Sequence, residues 1–505
     1  MPPSGPPTRP PTDDAGARAD AYATAPLLNC LLREVAQPLD GTDEPRVYRL
    51  PSGERLLRVR GVRRPARPEV SVDGDWRPVG HAELVKLVAE ELQAHTGLSN
   101  PELPAEMTDS RDAVAALLTA RDGATSPEDP YRRSEQSLLT GHPYHPAPKA
   151  RGGGPVARWL PYAPEAYAAF PLALLGVRED AVAEEGDVSA LDAFGTAPPG
   201  YRLLPAHPWQ LDLVGPGLTE AFADGRLIRL GTTTSDTWPT AAIRTLYAPE
   251  HDLFVKFSLD VRITNDVRRL WRHDLLSLRR TDSVVAAAAA ALRTPGAWLS
   301  DRGYRTADFA FEELAVLVRD GLHDHLVPGA TPLLAAALVE DFDGTLPAGL
   351  RDPDAWWTAY LGAVVPPALE LFARSGVVVE AHLQNCVIAV DAAGTPVQAL
   401  FRDAEGVKLL PEVSRAAGWE RLVYCLVVNH LVEIAEALRE SHPGLDPWPA
   451  VRGVFAHESH RLDLPEAAAL LSAPTLPGKT NLLLRWTGAN GADARYLPLW
   501  NPLAG

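Results

Sequence analysis

Two short apolar runs around residue 390 constrain the fold of this chain most strongly. Residues 386–390 and 397–401 are apolar and rich in β-branched side chains, and the segment between them supplies turn residues that include Gly394. Runs of this length on either side of such a turn predict two antiparallel strands. We therefore expect a β-hairpin that closes near Gly394.

Polar residues gather at the open end of this predicted hairpin. Asn385 precedes the first run and Asp403 follows the second, so pairing about the turn sets them roughly opposite each other, about 5 Å apart at Cβ. Magnesium prefers oxygen ligands and takes only one or two carboxylates beside water and phosphate. We expect Glu380, Asn385 and Asp403 to hold Mg²⁺ with a nucleotide. Spacing alone leaves open a hairpin whose polar ends are simply solvated.

Residues 240–247 and 253–260 predict a second hairpin, with its turn near Glu250. This pairing sets Arg244 opposite Lys256. Because like charges on facing strand positions repel each other, we expect an anion such as a triphosphate to lie between them. The loop 231–235 adds hydroxyls that could contact phosphate, or it is an ordinary polar loop.

A helix start is predicted just beyond this second hairpin. Thr264 has the pattern of an N-cap, and residues 265–270 would open a helix that carries Arg268. Free backbone N–H groups and a guanidinium together favour a carboxylate ligand. The alternative is a solvated basic face on a surface helix.

A third cluster contains His142, His145, Lys149 and Arg151 in a segment that prolines keep non-helical. Structural zinc needs four ligands and no cysteine lies near, so a zinc site is disfavoured. Anion contact by His145, Lys149 and Arg151 is favoured over a proline-rich surface turn only because the other two clusters exist.

Composition restricts the class of protein. A chain of 505 residues divides into two or three domains. The formal net charge of −17 argues against nucleic-acid and membrane-surface partners, since both favour a basic face. Three scattered cysteines (Cys30, Cys386 and Cys425) suit a reducing cytoplasm.

Neither the N-terminal segment nor the longest apolar run has the pattern of a segment that enters a membrane. Residues 1–20 are predicted to be a disordered tail, and they lack the apolar core of a signal peptide. The longest apolar run, 284–292, falls far short of the ~20 residues that span a bilayer. We expect a cytoplasmic protein.

Taken in order, these motifs resemble those of the aerobactin synthetase-like (IucA/IucC) family, siderophore synthetases that work independently of nonribosomal peptide synthetases. The resemblance runs from about residue 27 to the C-terminus. It rests on Gly141-His142-Pro143 with His145-Pro146 and Lys149, His207-Pro208-Trp209-Gln210, Arg244-Thr245, Lys256-Phe257-Ser258-Leu259 with Thr264 and Arg268, His382-Leu383-Gln384-Asn385 with Arg402-Asp403, Lys479, Arg485 and Asn501-Pro502-Leu503.

The resemblance implies an ATP-dependent ligase for iron acquisition. Such an enzyme adenylates a carboxylic acid, commonly citrate or a derivative, releases pyrophosphate, and passes the acyl group to an amine or alcohol. ATP and Mg²⁺ are the implied cofactors, and a homodimer is expected from the family alone. One departure concerns Ala242, because the family usually has Ser two places before the motif Arg, and Thr240 would have to replace that hydroxyl.

The resemblance also implies a role for each site residue. ATP would contact Lys149, Thr240, Arg244, Lys256, His382, Asn385 and Asp403. The carboxylate substrate would contact His145, Thr264, Arg268 and Gln384. Lys256, Arg268 and His382 would lie nearest the reacting atoms.

The expected fold is α+β, with several domains in a hand-like arrangement. We expect a helical, thumb-like N-terminal domain over 21–133, a β-rich, fingers-like central domain over 134–346, and a mainly helical, palm-like C-terminal domain over 347–505 that carries the first hairpin. The segment 341–354 is rich in Gly and Pro and would link the last two. The nucleotide site would lie in the cleft between them.

A kinase-like phosphotransferase and a redox iron protein are the two rival functions. A kinase-like phosphotransferase also holds MgATP with a strand Lys and a His-x-x-Asn followed by Asp. It needs a base Asp, which is missing between His382 and Asn385. A redox iron protein would need four clustered cysteines for an iron–sulfur centre, and the C-terminal half has only Cys386 and Cys425.

Overall fold

The computed structural model describes residues 14–39, 45–152, 154–340, 349–410, 412–489 and 496–504. Helix α1 (Asp14–Glu34) begins inside the segment 1–20 that was predicted to be disordered, so this prediction is wrong for residues 14–20. Residues 1–13 lie outside the described residues, and so do residues 341–348 of the predicted linker.

The amino-terminal part contains a sheet as well as helices. Its elements are β1 (Gln37–Pro38), β2 (Arg46–Arg49), β3 (Leu56–Arg60), β4 (Ala66–Val72), β5 (Asp75–Pro78), α2 (His81–Thr96), α3 (Glu102–Asp122), α4 (Pro130–Glu135) and α5 (Val156–Trp159). The five strands pair in sequence order and pack with α1 and α2 around one core, which contains Leu27, Leu57 and Leu84.

The prediction of a mostly helical first domain is therefore incomplete, because this part also contains a five-stranded sheet. Arginines and other polar side chains occupy the exposed positions of these short strands and obscure their apolar alternation. The predicted helical stretch 81–118 is divided between α2 and α3. It breaks at Gly97, whose φ of +71° ends α2 in the left-handed conformation that glycine adopts without strain.

The central part carries most of the strands. Its elements are β6 (Ala173–Arg178), β7 (Val182–Gly186), β8 (Tyr201–Ala206), α6 (Pro208–Val214), α7 (Thr219–Ala223), β9 (Leu227–Thr232), β10 (Trp238–Pro239), β11 (Thr245–Ala248), β12 (Leu253–Phe257), β13 (Leu259–Ile263), β14 (Asp266–Arg268), α8 (Arg272–Ala290), β15 (Gly296–Leu299), β16 (Asp301–Ala307), β17 (Val316–Asp320) and β18 (Thr331–Leu334).

Two sheets of this part enclose a common core. One has the order β8-β6-β9, and the other has the order β10-β11-β12-β17-β16-β7. Apolar side chains from both, including Leu175, Leu204, Val255 and Val316, are buried together. Strand β12 is thus central in its sheet, and all five of its residues are buried.

The carboxy-terminal part surrounds the predicted first hairpin with helices. Its elements are α9 (Pro353–Ser375), β19 (Val377–Val378), β20 (Cys386–Val390), β21 (Pro396–Arg402), β22 (Lys408–Leu409), α10 (Arg415–Leu422), a π-helical stretch (Val423–Leu431), α11 (Val432–Ser441), α12 (Trp448–Leu462), α13 (Pro465–Leu470), β23 (Thr475–Lys479), α14 (Asn481–Thr487) and β24 (Tyr496–Trp500).

Strands β20 and β21 form the expected hairpin and lie inside a sheet of order β15-β21-β20-β18. The two outer strands precede the hairpin in the chain, and β15 runs parallel to β21. Helix α9 packs on this sheet and ends at Gly376, as the sequence predicts. The α+β class is confirmed.

Candidate active site

The open ends of the two predicted hairpins, β11–β12 and β20–β21, meet at one place. Each register differs from the prediction by one residue. Lys256 pairs with Thr245, while the carbonyl of Arg244 accepts a hydrogen bond from the N–H of Phe257. The carbonyl of Asn385 accepts from the N–H of Arg402, so Asn385 does not face Asp403.

The two shifts have different causes. The register of β11–β12 is uniform, with Thr245 opposite Lys256 and Ala248 opposite Leu253, so its turn is centred between Glu250 and His251 rather than on Glu250. In the other hairpin the register shifts between Ala389 and Val390. One extra residue reverses the face to which every later side chain points, and a sequence pattern does not locate such a residue.

A network of two cations and three carboxylates joins the two hairpins. The Nζ atom of Lys256 lies 2.6 Å from Asp403 and 2.8 Å from Glu405. Arg319, on the neighbouring strand β17, lies 3.0 Å from Asp403 and binds Asp301 through two contacts of 2.6 and 3.1 Å. The predicted meeting of Lys256 and Asp403 is therefore seen directly.

Asp403 occupies a strained position at the centre of this network. Its φ and ψ are both 83°, a left-handed conformation that costs a non-glycine residue about 1–3 kcal/mol. The N–H of Ala404 donates to Asp301 over 2.9 Å and so holds the turn. The Asp403 side chain is 28% exposed, whereas that of Lys256 is 4% exposed. The carboxylate is thus fixed on one side and accessible on the other.

The charge of Asp403 is stabilised by its partners. Burial alone would raise its pKa, but the charges of Lys256 and Arg319 outweigh that effect and hold the pKa well below its usual range. The pKa of Glu405 is lowered in the same way, since Lys256 and Arg244 overcome its burial. Both carboxylates are ionised at neutral pH.

Arg244 links this network to a further cation, Arg268. Its guanidinium lies 3.1 Å from Glu405 and donates to the carbonyls of Arg268 and Arg269 over 3.1 and 3.0 Å. The side chain of Arg268 donates to the Thr264 hydroxyl over 2.6 Å. Within the described chain, Arg268 forms no ion pair with a carboxylate. Burial, followed by repulsion from Arg244, lowers its pKa. Arg268 is therefore suited to a ligand that brings its own negative charge.

Thr264 is not the N-cap of a helix, and this prediction is wrong. It has a φ of +60° and lies in the tight turn between β13 and β14. The residue types at N-caps and at tight turns overlap, because a short polar side chain satisfies nearby backbone groups in both. Thr264 and Arg268 nevertheless meet, since the antiparallel hairpin returns Arg268 beside the turn.

The histidine turn approaches the same hairpin. The Nε2 atom of His145 lies 3.2 Å from Oδ1 of Asn265, directly after Thr264. Burial, with help from His142 and Arg485, lowers the pKa of His145 to about 3. His145 is therefore neutral at neutral pH and can donate to or accept from a carboxylate ligand according to its tautomer.

His382 and Glu380 form a separate contact. Nε2 of His382 lies 3.7 Å from Glu380, and Glu380 also receives hydrogen bonds from the guanidinium of Arg421. Burial opposes ionisation of Glu380, but its contacts with His382 and Arg421 lower its pKa to about 2. Arg421 already neutralises this carboxylate, so the geometry does not favour Glu380 as a metal ligand.

Three further predicted residues lie outside the network. Lys149 is buried, 2.5 Å from Glu165, and it also donates to the carbonyl of Leu138. The Thr240 hydroxyl donates to the carbonyl of Thr245 over 2.9 Å and is 1% exposed, so it closes a turn rather than facing a ligand. Gln384 is exposed in the turn that precedes β20.

The loop 231–235 is also remote from the network. The Thr233 hydroxyl accepts from the N–H of Leu172 and donates to the carbonyl of Ser235, so it is used in a local turn. The loop lines a cavity of about 80 Å³ with Ala248 and Glu250, at the closed end of β11–β12. Of the two alternatives for this loop, the structure favours an ordinary polar loop over a contact with phosphate.

Sequence reasoning missed Arg319, Asp301 and Glu135. Glu135 is fully buried and lies 2.6 Å from Arg402, while its second oxygen accepts from the N–H of Ala241 over 3.0 Å. It thereby ties the two hairpins together. No local motif marks these residues, because their partners are remote in sequence.

The chain is similar to known proteins in sequence and in fold. Residues 130–340 match the sequence model of the IucA / IucC family, and residues 354–494 match that of the ferric iron reductase FhuF-like transporters. The chain is 28% identical to the L-2,3-diaminopropanoate–citrate ligase of Staphylococcus aureus, over 74% of this chain and 75% of the relative. The chain is therefore similar to the IucA / IucC family.

Two further proteins resemble this chain, one in sequence and one in fold. The rhizobactin siderophore biosynthesis protein RhbC of Rhizobium meliloti is 29% identical over 85% of this chain and 86% of its own. The ATP-bound aerobactin synthetase IucA of Klebsiella pneumoniae has the same fold, with a TM-score of 0.81, 22% identity, and coverage of 96% of this chain and 100% of the other.

The FhuF-like match does not bring an iron–sulfur centre to this chain. That centre needs four clustered cysteines, and residues 354–494 contain only Cys386 and Cys425. Both are buried as free thiols, and burial raises the pKa of each. Among the helices that the structure describes, none combines the length and apolar character needed to cross a bilayer.

Proposed function

We propose that this protein is an ATP-dependent siderophore synthetase that adenylates citrate, or a citrate derivative, and condenses it with an amine or alcohol. The observation that carries the proposal is the convergence of two differently charged regions. Lys256, Asp403 and Glu405 form one region, and Arg268, which forms no ion pair with a carboxylate in the described chain, lies beside it in the other.

The relatives support the same chemistry. By its name, the Staphylococcus aureus relative joins citrate to an amino acid, and the Klebsiella pneumoniae structure contains ATP. In such a ligase, a carboxylate oxygen of the acid attacks the α-phosphorus of ATP. The bond to the β-phosphate breaks, pyrophosphate leaves, and an acyl-adenylate forms. The nitrogen of the acceptor then attacks the acyl carbon, AMP leaves, and the nitrogen loses a proton.

This chain's residues would mainly bring two anions together. Arg268, Thr264 and His145 would hold the carboxylate substrate, because their polar groups meet at the β13–β14 turn. Lys256 and Arg244 would face the triphosphate. Preorganised cations of this kind stabilise the charge that develops during phosphoryl-type transfer.

Magnesium would bind at Asp403. Asp403 fits a hard cation because its ionised carboxylate is partly accessible. The described residues contain no cluster of three or more His, Cys, Asp or Glu side chains placed to hold a metal. That agrees with the usual magnesium site, in which phosphates and water supply most ligands. When bound, the ion would neutralise phosphate charge.

The products distinguish this function from a kinase. Purified protein would be incubated with ATP, Mg²⁺ and each of citrate, 2-oxoglutarate and succinate, with and without an amine. A ligase gives pyrophosphate and AMP, and we expect both with citrate. Formation of ADP instead would overturn the proposal.

A further inference from the structure

Two further cations, Arg33 and Lys479, lie near the histidine turn and have no ion-pair partner in the described chain. The guanidinium of Arg33, on α1, stacks over the ring of Tyr144 at 3.1 Å from its centroid. Throughout the described ranges, Arg33 forms no hydrogen bond or salt bridge with its side chain. Arg33 and Asn29 are one helical turn apart, and Asn29 donates to the carbonyl of Pro143 over 3.2 Å. Helix α1 therefore holds Arg33 against this turn.

Lys479 is the second cation of the group. It ends β23, where it pairs with Tyr496 of β24. Burial, followed by repulsion from Arg421, lowers its pKa. Its ammonium has no salt bridge or hydrogen bond in the part of the chain that the structure describes. A partly buried ammonium without a partner is unfavourable, and a bound anion would remove this cost.

The charges of Arg33 and Lys479 contribute to the lowered pKa of His142, and the charge of Arg268 contributes to that of His145. The pKa of His142 is lowered to about 3 by burial, then by His382, Arg33 and Lys479. For His145 the corresponding charges beyond His142 are Arg485 and Arg268. The turn thus separates two positively charged regions, of which only the second coincides with the carboxylate site proposed above.

Hydrogen bonds fix the distance between the two regions. Asn481 donates to the carbonyl of Tyr144 over 2.7 Å and accepts from the side chain of Asn265 over 3.2 Å. Glu34, next to Arg33, accepts from the N–H groups of Leu482 and Leu483 over 2.9 and 2.8 Å. The two regions are therefore parts of one rigid frame.

No carboxylate of the described chain forms a salt bridge with Arg33 or Lys479. Glu433 is 3% exposed, and burial raises its pKa although the charges of Arg63 and Arg33 oppose that effect. Glu380 is engaged by Arg421.

We propose that Arg33 and Lys479 bind a carboxylate of the acyl acceptor, so that the acceptor is an amine of the amino-acid class rather than a simple diamine or polyamine. This inference rests on the ligase function proposed above. A carboxylate held here orients the acceptor while its free amino group reaches the acyl carbon across the histidine turn. A polycation would instead be repelled by both side chains.

Matched acceptors test the inference. Ornithine and putrescine differ only in the carboxylate, and so do 2,3-diaminopropanoate and ethylenediamine. With wild-type protein, citrate and ATP, we expect at least about tenfold higher kcat/KM for one or both amino acids than for the matched diamine. Arg33→Gln and Lys479→Gln should each raise KM for the amino acid by about 10- to 100-fold, since a charge-assisted contact is lost. The slow reaction with the diamine should not fall.

Two controls keep the result interpretable. Arg229→Gln removes another arginine–aromatic stack, in which the exposed guanidinium lies 4.5 Å from the centroid of the Phe222 ring. It should change neither the KM for the amino acid nor the KM for the diamine. Arg33→Lys keeps the charge and should restore part of the affinity. Citrate-dependent pyrophosphate release without acceptor reports the ligase function alone.

The outcomes separate the two proposals. If citrate is adenylated but wild-type protein uses the diamines as well as the amino acids, the acceptor inference is overturned and the ligase function stands. If the variants keep wild-type KM for the amino acid, Arg33 and Lys479 are not the acceptor site. If no polycarboxylate releases pyrophosphate, both proposals fail.

Discussion

The Nζ atom of Lys256 lies 2.6 Å from Oδ1 of Asp403, and this ion pair connects two different sheets. Lys256 lies on a central strand of the six-stranded sheet, and Asp403 directly follows the last strand of the hairpin in the four-stranded sheet. The network around the pair therefore depends on how the two sheets pack, and a substitution in either sheet can change it.

Asp403→Asn should abolish pyrophosphate release, with a loss of at least about 100-fold in kcat/KM for ATP, because the charge that faces Lys256 and the metal is removed. The fold should persist, since asparagine tolerates the left-handed backbone and Lys256 and Arg319 keep Glu405 and Asp301 as partners. Circular dichroism and pyrophosphate release measure the two effects. Full turnover by the variant would contradict the assignment.

Arg268→Gln should raise KM for citrate by about 10- to 100-fold, because a charged hydrogen bond to the substrate is lost. Its thermal stability should be unchanged or higher, since Arg268 is buried without a carboxylate partner in the described chain. The adjacent Arg269 provides the control. It pairs with Asp260 at 2.5 Å, so Arg269→Gln should keep KM near the wild-type value. Equal effects of the two substitutions would argue against a specific role for Arg268.

Glu135→Gln should lower the free energy of unfolding by about 3–5 kcal/mol, because it leaves the buried guanidinium of Arg402 without its counter-ion. The double variant Glu135→Gln/Arg402→Met should recover part of that loss, since no unpaired charge remains. Melting temperatures of the single and double variants measure the difference. A double variant less stable than the sum of the single changes would show that the pair does more than neutralise charge.

Stability should fall as the pH falls from about 6.5 to about 3. The pKa values of His142 and His145 are about 3 in the folded protein, against 6.5 for an ordinary histidine. The folded state therefore binds fewer protons than the unfolded state in this window, so the free energy of unfolding rises with pH. This contribution is complete above pH 6.5. Melting temperatures measured across the window should show it, and a double His142→Gln/His145→Gln variant should have a smaller slope.

The same histidines predict proton uptake on ligand binding. A polyanion beside His145 and Arg268 offsets the charges that lower the histidine pKa values. Citrate binding should therefore be accompanied by proton uptake, which calorimetry in two buffers of different ionisation enthalpy measures. Binding without proton uptake would place the polyanion elsewhere.

Much of the site could be predicted from the sequence, because its residues lie next to strand and turn patterns that are recognisable locally. The hairpin around Gly394 was predicted correctly, since its two strands and its turn are contiguous. Its register was not, because the irregularity at Ala389 and Val390 has no local signature. Arg319 and Asp301 could not be predicted, since strands remote in sequence bring them to Asp403. Thr264 was assigned to the wrong element because helix caps and tight turns use the same residue types.

Helix α14 places Leu482 and Trp486 in the same core as Leu27 and Leu57 near the start of the chain. During synthesis this core stays incomplete until residue 486 has left the ribosome. The first-made helices must then wait with exposed apolar surface, and surface of that kind in a nascent chain promotes aggregation and recruits chaperones. Expression yield should consequently respond more to translation speed and chaperone supply than to the stability of the finished protein.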